Sequence, residues 1–157
     1  MCGICGLWGR TAAEPVRRMM ARMTHRGPDA EGLWEGDGGV LGHRRLSIMD
    51  PAGGNQPIVS SDGRRVIVAN GELYNFPVLR EDLAPTHRFR TRSDTESALH
   101  LYEDLAEEAA GRLDGMYAFA ITDGPDLFVA RDPVGIKPLY VGRRDGDLAF
   151  ASELKAL

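Results

Sequence analysis

Cys2 follows the initiator Met1 and precedes Gly3. Removal of a methionine that stands before a small residue would make Cys2 the first residue, carrying an α-amine and a thiol together. Their ordinary pKa values, about 7.7–8.0 for the amine and about 8.5 for the thiol, let one accept the other's proton near neutral pH, as a self-activated nucleophile requires. The plainer reading is a small thiol buried near a strand start. Cys5 completes a Cys-x-x-Cys pair, the pattern of a redox couple or of half a metal site, with His25 or His43 available as further ligands. No second close cysteine pair exists and neither histidine stands at zinc-finger spacing, so no metal site is expected and Cys5 is read as core. The pair is also no disulfide framework. The glycine-rich segments match neither a Walker nor a dinucleotide-binding pattern.

A nucleophile at the start of the chain needs a rigid strand behind it, and the short apolar run Gly3 to Trp8 supplies one. Thr11 and Glu14 have capping-box spacing, and Pro15 fits a first helical turn. Val16, Met19, Met20 and Met23 then make one apolar stripe. Thr24 to Asp37 is polar and glycine-punctuated, most turn-like at His25 to Asp29, and Val40 to Ile48 reads as a strand with an adjoining loop. Arg65 to Ala69 reads as a central strand that stops at Asn70-Gly71, a dipeptide suited to a tight turn. Asn75 to Leu83 is a short helix with Asn75 as its cap. A longer helix begins after Ser93, whose spacing to Glu96 again suits a capping box; Asp94 lies in its first turn, where a carboxylate favours the macrodipole. Ala98, Leu101, Tyr102, Leu105 and Ala109 form its buried stripe, with Glu103, Glu107 and Glu108 toward water or the edges. Met116 to Ile121, Leu127 to Arg131, Leu139 to Val141 and Leu148 to Ala151 are strands separated by turn chemistry. These elements predict an α+β fold of two or more packed layers.

The 157 residues suffice for one domain with a sizeable core, since a globule of this size buries roughly 68–70% of its unfolded surface. The 19 glycines and 9 prolines favour a strand-rich fold. A formal net charge of -4 offers no general footprint for nucleic acid or an anionic membrane, while a small zwitterionic ligand stays compatible with local charge. No apolar run is long enough to span a bilayer and no secretory signal precedes the first strand, so the expected location is cytoplasmic.

Read together, Met1-Cys2-Gly3-Ile4, His25-Arg26-Gly27-Pro28-Asp29, Gly42 to Ile48, Asn70 to Asn75 and Ser93-Asp94-Thr95-Glu96 form an ordered set. Leu113 to Met116, Arg131 to Tyr140 and Ala151 to Lys155 extend it almost to the end. In combination they resemble the glutaminase domain of glutamine-dependent asparagine synthetase, a class II glutamine amidotransferase. The resemblance implies an N-terminal-nucleophile hydrolase fold, two antiparallel sheets packed between helices, as one domain over residues 1–157. It implies that Cys2 attacks the carboxamide of L-glutamine, releases ammonia and leaves a γ-glutamyl thioester for water to hydrolyse, with its own α-amine as general base. Asn70 and Gly71 would form the oxyanion hole, through a side-chain amide and a backbone N–H. Arg45 would bind the α-carboxylate, Asp94 and Glu72 the α-ammonium, and Leu46 and Ile48 would shape the pocket.

Position 44 is Arg where many relatives have Glu, and Asn75 is followed by Phe76 where His is common; neither departure removes a proposed catalytic group. Arg26, Asp29 and Arg44 either order pocket loops or make structural ion pairs. No cofactor is implied in this domain. A synthetase domain, absent from these residues, would receive the ammonia and use ATP and Mg²⁺ to amidate a carboxylate. A homodimer is left open, since no exposed apolar face is legible. Hydrolysis of another γ-glutamyl amide and a degenerate domain kept for docking are the rival readings.

Overall fold

A computed structural model describes residues 1–9 and 12–157. Among them, β1 (Gly3–Trp8), β2 (Ala30–Gly36), β3 (Gly39–Arg45), β8 (Tyr140–Arg144) and β9 (Asp147–Ala151) form one antiparallel sheet in the order β2-β3-β1-β9-β8. A second antiparallel sheet, in the order β4-β5-β6-β7, comprises β4 (Ile58–Val59), β5 (Arg65–Leu73), β6 (Gly115–Asp123) and β7 (Asp126–Arg131). The sheets pack face to face: Ile4, Leu41 and Phe150 of the first meet Val66, Val68, Ala118 and Ala120 of the second. Phe150 is fully buried in this layer, and cutting such a side chain to alanine costs about 3–5 kcal/mol.

Helices close both outer faces. α1 (Ala13–Arg22) lays Val16, Met19 and Met20 against Cys5 and Val40 of the first sheet. α2 (Phe76–Leu83) and α3 (Asp94–Leu105) bury Leu79, Leu83, Ala98, Leu101 and Tyr102 against Ile67, Phe119 and Ile121 of the second. The result is the expected α+β sandwich of two sheets between helices. No described helix is long and apolar enough to cross a membrane.

Several local expectations change. The strand predicted to stop at Asn70-Gly71 continues as β5 through Leu73, with Asn70 opposite Ala118 and Gly71 opposite Tyr117. Glycine serves close packing there, because a Cβ on Gly71 would stand 2.2 Å from Met116 O and 2.6 Å from Tyr117 Cα. The polar stretch after Pro28 contains β2, an edge strand paired only with β3 in its sheet and mostly half-buried, so its faces carry little hydrophobic contrast. Asn75 stands at the N-cap of α2 without capping it; its side chain instead donates to Arg112 O at 2.9 Å and accepts from Asp114 N–H at 3.0 Å. Glu103, predicted at the wet edge of α3, has a side chain only 11% exposed because two histidines hold it. The proposed Thr11 cap lies outside the described residues; Ala12 occupies the N-cap of α1.

Ser93 caps α3 as predicted, accepting from Thr95 N–H at 3.3 Å. Glu96 does not complete the box on Ser93. It reaches back to the N–H groups of Arg90 and Thr91, each at 2.7 Å, and to the Thr91 hydroxyl. Burial pushes the Glu96 carboxyl up, but contacts with His100, Arg90 and Thr91 outweigh it and hold the pKa at about 2.

Candidate active site

β1 carries Cys2 to the edge of a cavity, and the strand start is fixed by more than its ladder. Ile4 N–H donates to Ser152 Oγ at 2.9 Å, and Ser152 N–H donates to Ile4 O at 2.9 Å. Arg26 Nε donates to the Cys2 carbonyl at 2.9 Å and its Nη1 pairs with Glu153 at 3.2 Å. Burial raises the Glu153 pKa, yet His25, Lys155 and Arg26 together hold it at about 2. Arg26 therefore both braces the Cys2 backbone and makes a structural ion pair. Cys2 Sγ lies between the Leu46 N–H at 3.4 Å and the Leu46 carbonyl at 3.7 Å, so a donor and an acceptor fix the thiol's direction. Cys5 is fully buried, and burial pushes its thiol up to about 12. That is an inert core sulfur.

The cavity brings together every residue the sequence nominated: Cys2, Arg45, Leu46, Ile48, Asn70, Gly71, Glu72 and Asp94 all line it. Ile48 stands at the rim, 65% exposed. Asn70, from the middle of β5, is buried, and its Nδ2 has no hydrogen-bond acceptor among the described residues. Burying an amide donor unpaired costs about 1–3 kcal/mol. A buried donor lining the same cavity as the Cys2 thiol is a group that a developing oxyanion could use.

Asp94 is buried in the first turn of α3, accepting from Leu73 N–H at 2.8 Å and Thr95 N–H at 2.9 Å. Burial raises its pKa in spite of those hydrogen bonds. The Leu73 bond ties β5 to α3, so the amide of Asn70, the half-buried Glu72 and the Asp94 carboxylate keep a set spacing. Arg45, at the end of β3, is also buried, and its terminal nitrogens are engaged by the loop that follows. Nη1 donates to Pro51 O at 3.1 Å and Asn55 Oδ1 at 2.7 Å; Nη2 donates to Met49 O at 3.0 Å and Asp50 O at 2.6 Å. A two-pronged grip on a carboxylate by these nitrogens would exchange some of those partners for the ligand.

The remaining charges act around the cavity. Asp29 accepts from Ser47 N–H at 2.7 Å, holding the segment that carries Leu46 and Ile48. Arg44 donates to Gly27 O at 3.0 Å and pairs with Glu31.

Lys137 and Gln56 also line the cavity and were not singled out from the sequence; Met1, expected to be removed, lines it as well. Lys137 is buried, with Nζ 3.7 Å from Met1 Sδ. Its loop is built by Asp132, whose carboxylate accepts from the N–H groups of Tyr117 at 3.3 Å, Ile136 at 2.9 Å and Lys137 at 3.0 Å. Burial opposes the Asp132 charge, but those donors outweigh it and lower the pKa. The available signal was the segment Arg131 to Tyr140, in which a turn centred on Gly135 (φ 72°) throws Lys137 inward. Gln56 Oε1 accepts from Ala69 N–H at 2.6 Å. With Met1 in place the cavity holds about 70 Å³, well below the roughly 300 Å³ at which small-molecule pockets begin.

A thiol on the second residue, at the start of a central strand of a two-sheet sandwich with helices outside, defines the N-terminal-nucleophile hydrolase fold. Solved amidotransferases share it. Glutamine phosphoribosylpyrophosphate amidotransferase from B. subtilis superposes with a TM-score of 0.83 at 25% identity, over 99% of this chain and 42% of that one. An allosteric regulatory enzyme of purine biosynthesis gives 0.85 at 26% identity, over 99% and 42%. The chain belongs to the glutamine amidotransferase domain family, which it matches over residues 1–157. Similar proteins include the glutamine-hydrolyzing asparagine synthetase 3 of Arabidopsis thaliana, 44% identical, and the asparagine synthetase of Zea mays, 42% identical. Each match takes in all of this chain and 28% of the relative. The chain thus spans under a third of the length of these relatives.

Proposed function

We propose that this domain hydrolyses L-glutamine to L-glutamate and ammonia once Met1 has been removed. The Cys2 α-amine takes the thiol proton as sulfur adds to the side-chain carboxamide carbon. Negative charge then gathers on the former carbonyl oxygen, where Asn70 Nδ2 and the Gly71 N–H receive it. Collapse of that intermediate breaks the C–N bond, the protonated α-amine returns its proton to the leaving nitrogen, and ammonia departs from a γ-glutamyl thioester. Water, deprotonated by the same amine, cleaves the thioester to glutamate and frees the thiol. Asp94 and Glu72 supply negative charge for the ligand's α-ammonium and Arg45 positive charge for its α-carboxylate, which selects an amino acid over a simple amide. The observation that carries this reading is the convergence on one cavity of a terminal-strand thiol, a buried amide donor without a partner among the described residues, and charges of both signs.

In the same proposal the ammonia passes to a synthetase domain outside these residues, which consumes ATP with Mg²⁺ to amidate a carboxylate. The support is the shared ancestry with asparagine synthetases, in which a stretch like this one is a minor part of the chain.

Intact-protein mass before and after treatment with a diazo-ketone analogue of glutamine tests the reading. The expected result is a starting mass without Met1 and a single adduct on Cys2, prevented by excess glutamine and absent from Cys2→Ala. A processed, folded protein that forms no adduct, or one labelled equally well in Cys2→Ala, overturns it.

A further inference from the structure

Outside the cavity lining, a cluster of side chains with metal-ligand chemistry stands where the segment after α2 meets α3. His87, in the segment after α2, and His100 and Glu103, one turn apart on α3, converge within 4.8 Å of one another through a single ligand atom each. His87 Nδ1 is 3.1 Å from Glu103 Oε2, and His100 Nδ1 is 2.7 Å from the same oxygen. The two rings stack at 4.7 Å between centroids, tilted by 29°. All three side chains are largely buried, at 13%, 2% and 11% exposure.

Hydrogen-bond accounting makes the cluster unusual. Each imidazole faces a carboxylate on both of its nitrogens: His87 Nε2 lies 2.9 Å from Asp104 Oδ1, and His100 Nε2 lies 3.7 Å from Glu96 Oε1. A neutral imidazole carries one proton and satisfies one acid partner. His100 Nε2 is in fact buried without a hydrogen-bond partner among the described residues. With the carboxylates ionised, serving all four contacts with protons would require two stacked imidazolium cations.

We infer that His87 Nδ1, His100 Nδ1 and Glu103 form a divalent-metal site of the zinc class, in which one ion takes the place of the two Nδ1 protons. Two imidazole nitrogens and a carboxylate oxygen are a donor set suited to Zn²⁺, with the fourth position open to water. Ligand atoms about 2.0–2.1 Å from a tetrahedral ion lie roughly 3.3 Å apart, so the two contacts to Glu103 open by only tenths of an ångström. Each ring then keeps its single proton on Nε2, directed at Asp104 from His87 and toward Glu96 from His100. This is the carboxylate–histidine–metal arrangement that fixes tautomer and ring orientation. The ion would fasten the segment after α2 to α3. Through Glu96 it would also brace the Arg90 and Thr91 backbone, which leads directly into the cavity residues Ser93, Asp94 and Thr95.

Metal-free full chain titrated with Zn²⁺ and, separately, with Co²⁺ tests the site. Zn²⁺ at about 100 times its dissociation constant is expected to raise Tm by about 5–10 °C. Co²⁺ is expected to show the visible bands of tetrahedral nitrogen and oxygen ligation without a sulfur charge-transfer band, which separates this site from Cys2. His87→Gln, whose residue is the more exposed of the two imidazoles, should lose both responses while keeping the wild-type circular dichroism. Glu103→Gln provides an independent check by the same readouts. The inference is overturned if wild-type protein shows neither response, if the cobalt spectrum carries thiolate bands, or if the responses survive in folded His87→Gln or Glu103→Gln.

Discussion

Asn70 separates chemistry from stability, because its side-chain donor has no partner among the described residues to lose. In Asn70→Ala the fold sheds a buried unpaired N–H, a relief of about 1–3 kcal/mol, and gains a small cavity, a cost of about 1–2 kcal/mol. The two nearly offset each other, so stability should move by no more than about 1 kcal/mol, or about 2–4 °C in Tm for a chain of this size. Catalysis has no such offset. Loss of one oxyanion donor costs about 2.7–4 kcal/mol in the transition state, a fall of about 10²–10³ in kcat. Glutamate release and thermal melting of wild type and Asn70→Ala, with Cys2→Ala as the zero-activity reference, measure both quantities. KM should change little, since the ground-state carbonyl makes the weaker demand on that donor. A variant with kcat within about fivefold of wild type, roughly 1 kcal/mol, refutes the role. A Tm loss above about 10 °C refutes the claim that the amide is free of structural duty.

His43 joins the two sheets through Nε2 and Ala69 O at 3.1 Å. Burial first, with help from the Arg45 and Arg44 charges and against that hydrogen bond, holds its pKa at about 4. The unfolded chain takes up this proton near pH 6.5 and the folded one only near 4. Stability should therefore be complete above pH 6.5 and fall as pH drops through 4, by up to about 3 kcal/mol; urea midpoints of His43→Gln that keep the same slope over that window would contradict this. Asp132→Ala strips three N–H groups, two of them buried, of their acceptor and should cost about 3 kcal/mol, so an unchanged urea midpoint would show that the Lys137 loop is held otherwise. Ser152→Ala leaves the Ile4 N–H unpaired behind Cys2; a loss of about 1–2 kcal/mol is expected, and amide exchange at Ile4 as slow as in wild type would argue against it.

What could be read from the chain alone divides along a physical line. Period, capping and turn chemistry revealed the elements with clear local signals: α1 by its methionine stripe, α3 by its Ser93 cap, and β6 and β9 by apolar runs between turns. β2 escaped because an edge strand half-wet on both faces carries no contrast, and β5 looked too short because Asn70-Gly71 has the local chemistry of a turn. Only the partner strand shows why glycine stands there, since no propensity of Gly71 itself reports the Met116 carbonyl beside it. The site was legible to the extent that motif order reports function: each nominated residue lines one cavity. Motif order cannot show how each is held. Arg45 spends its terminal nitrogens on its own loop, Asn70 keeps an amide donor without a partner among the described residues, and Lys137 enters through a turn built around the Asp132 carboxylate. The same limit hid the histidine cluster, whose members are brought together by the packing of α2 against α3. His87 and His100 are thirteen positions apart in sequence, a separation that specifies nothing until the helices dock. Once docked, the side chain of Glu103 is drawn in beside both rings, which is why a helix position that periodicity assigns to water has a side chain only 11% exposed.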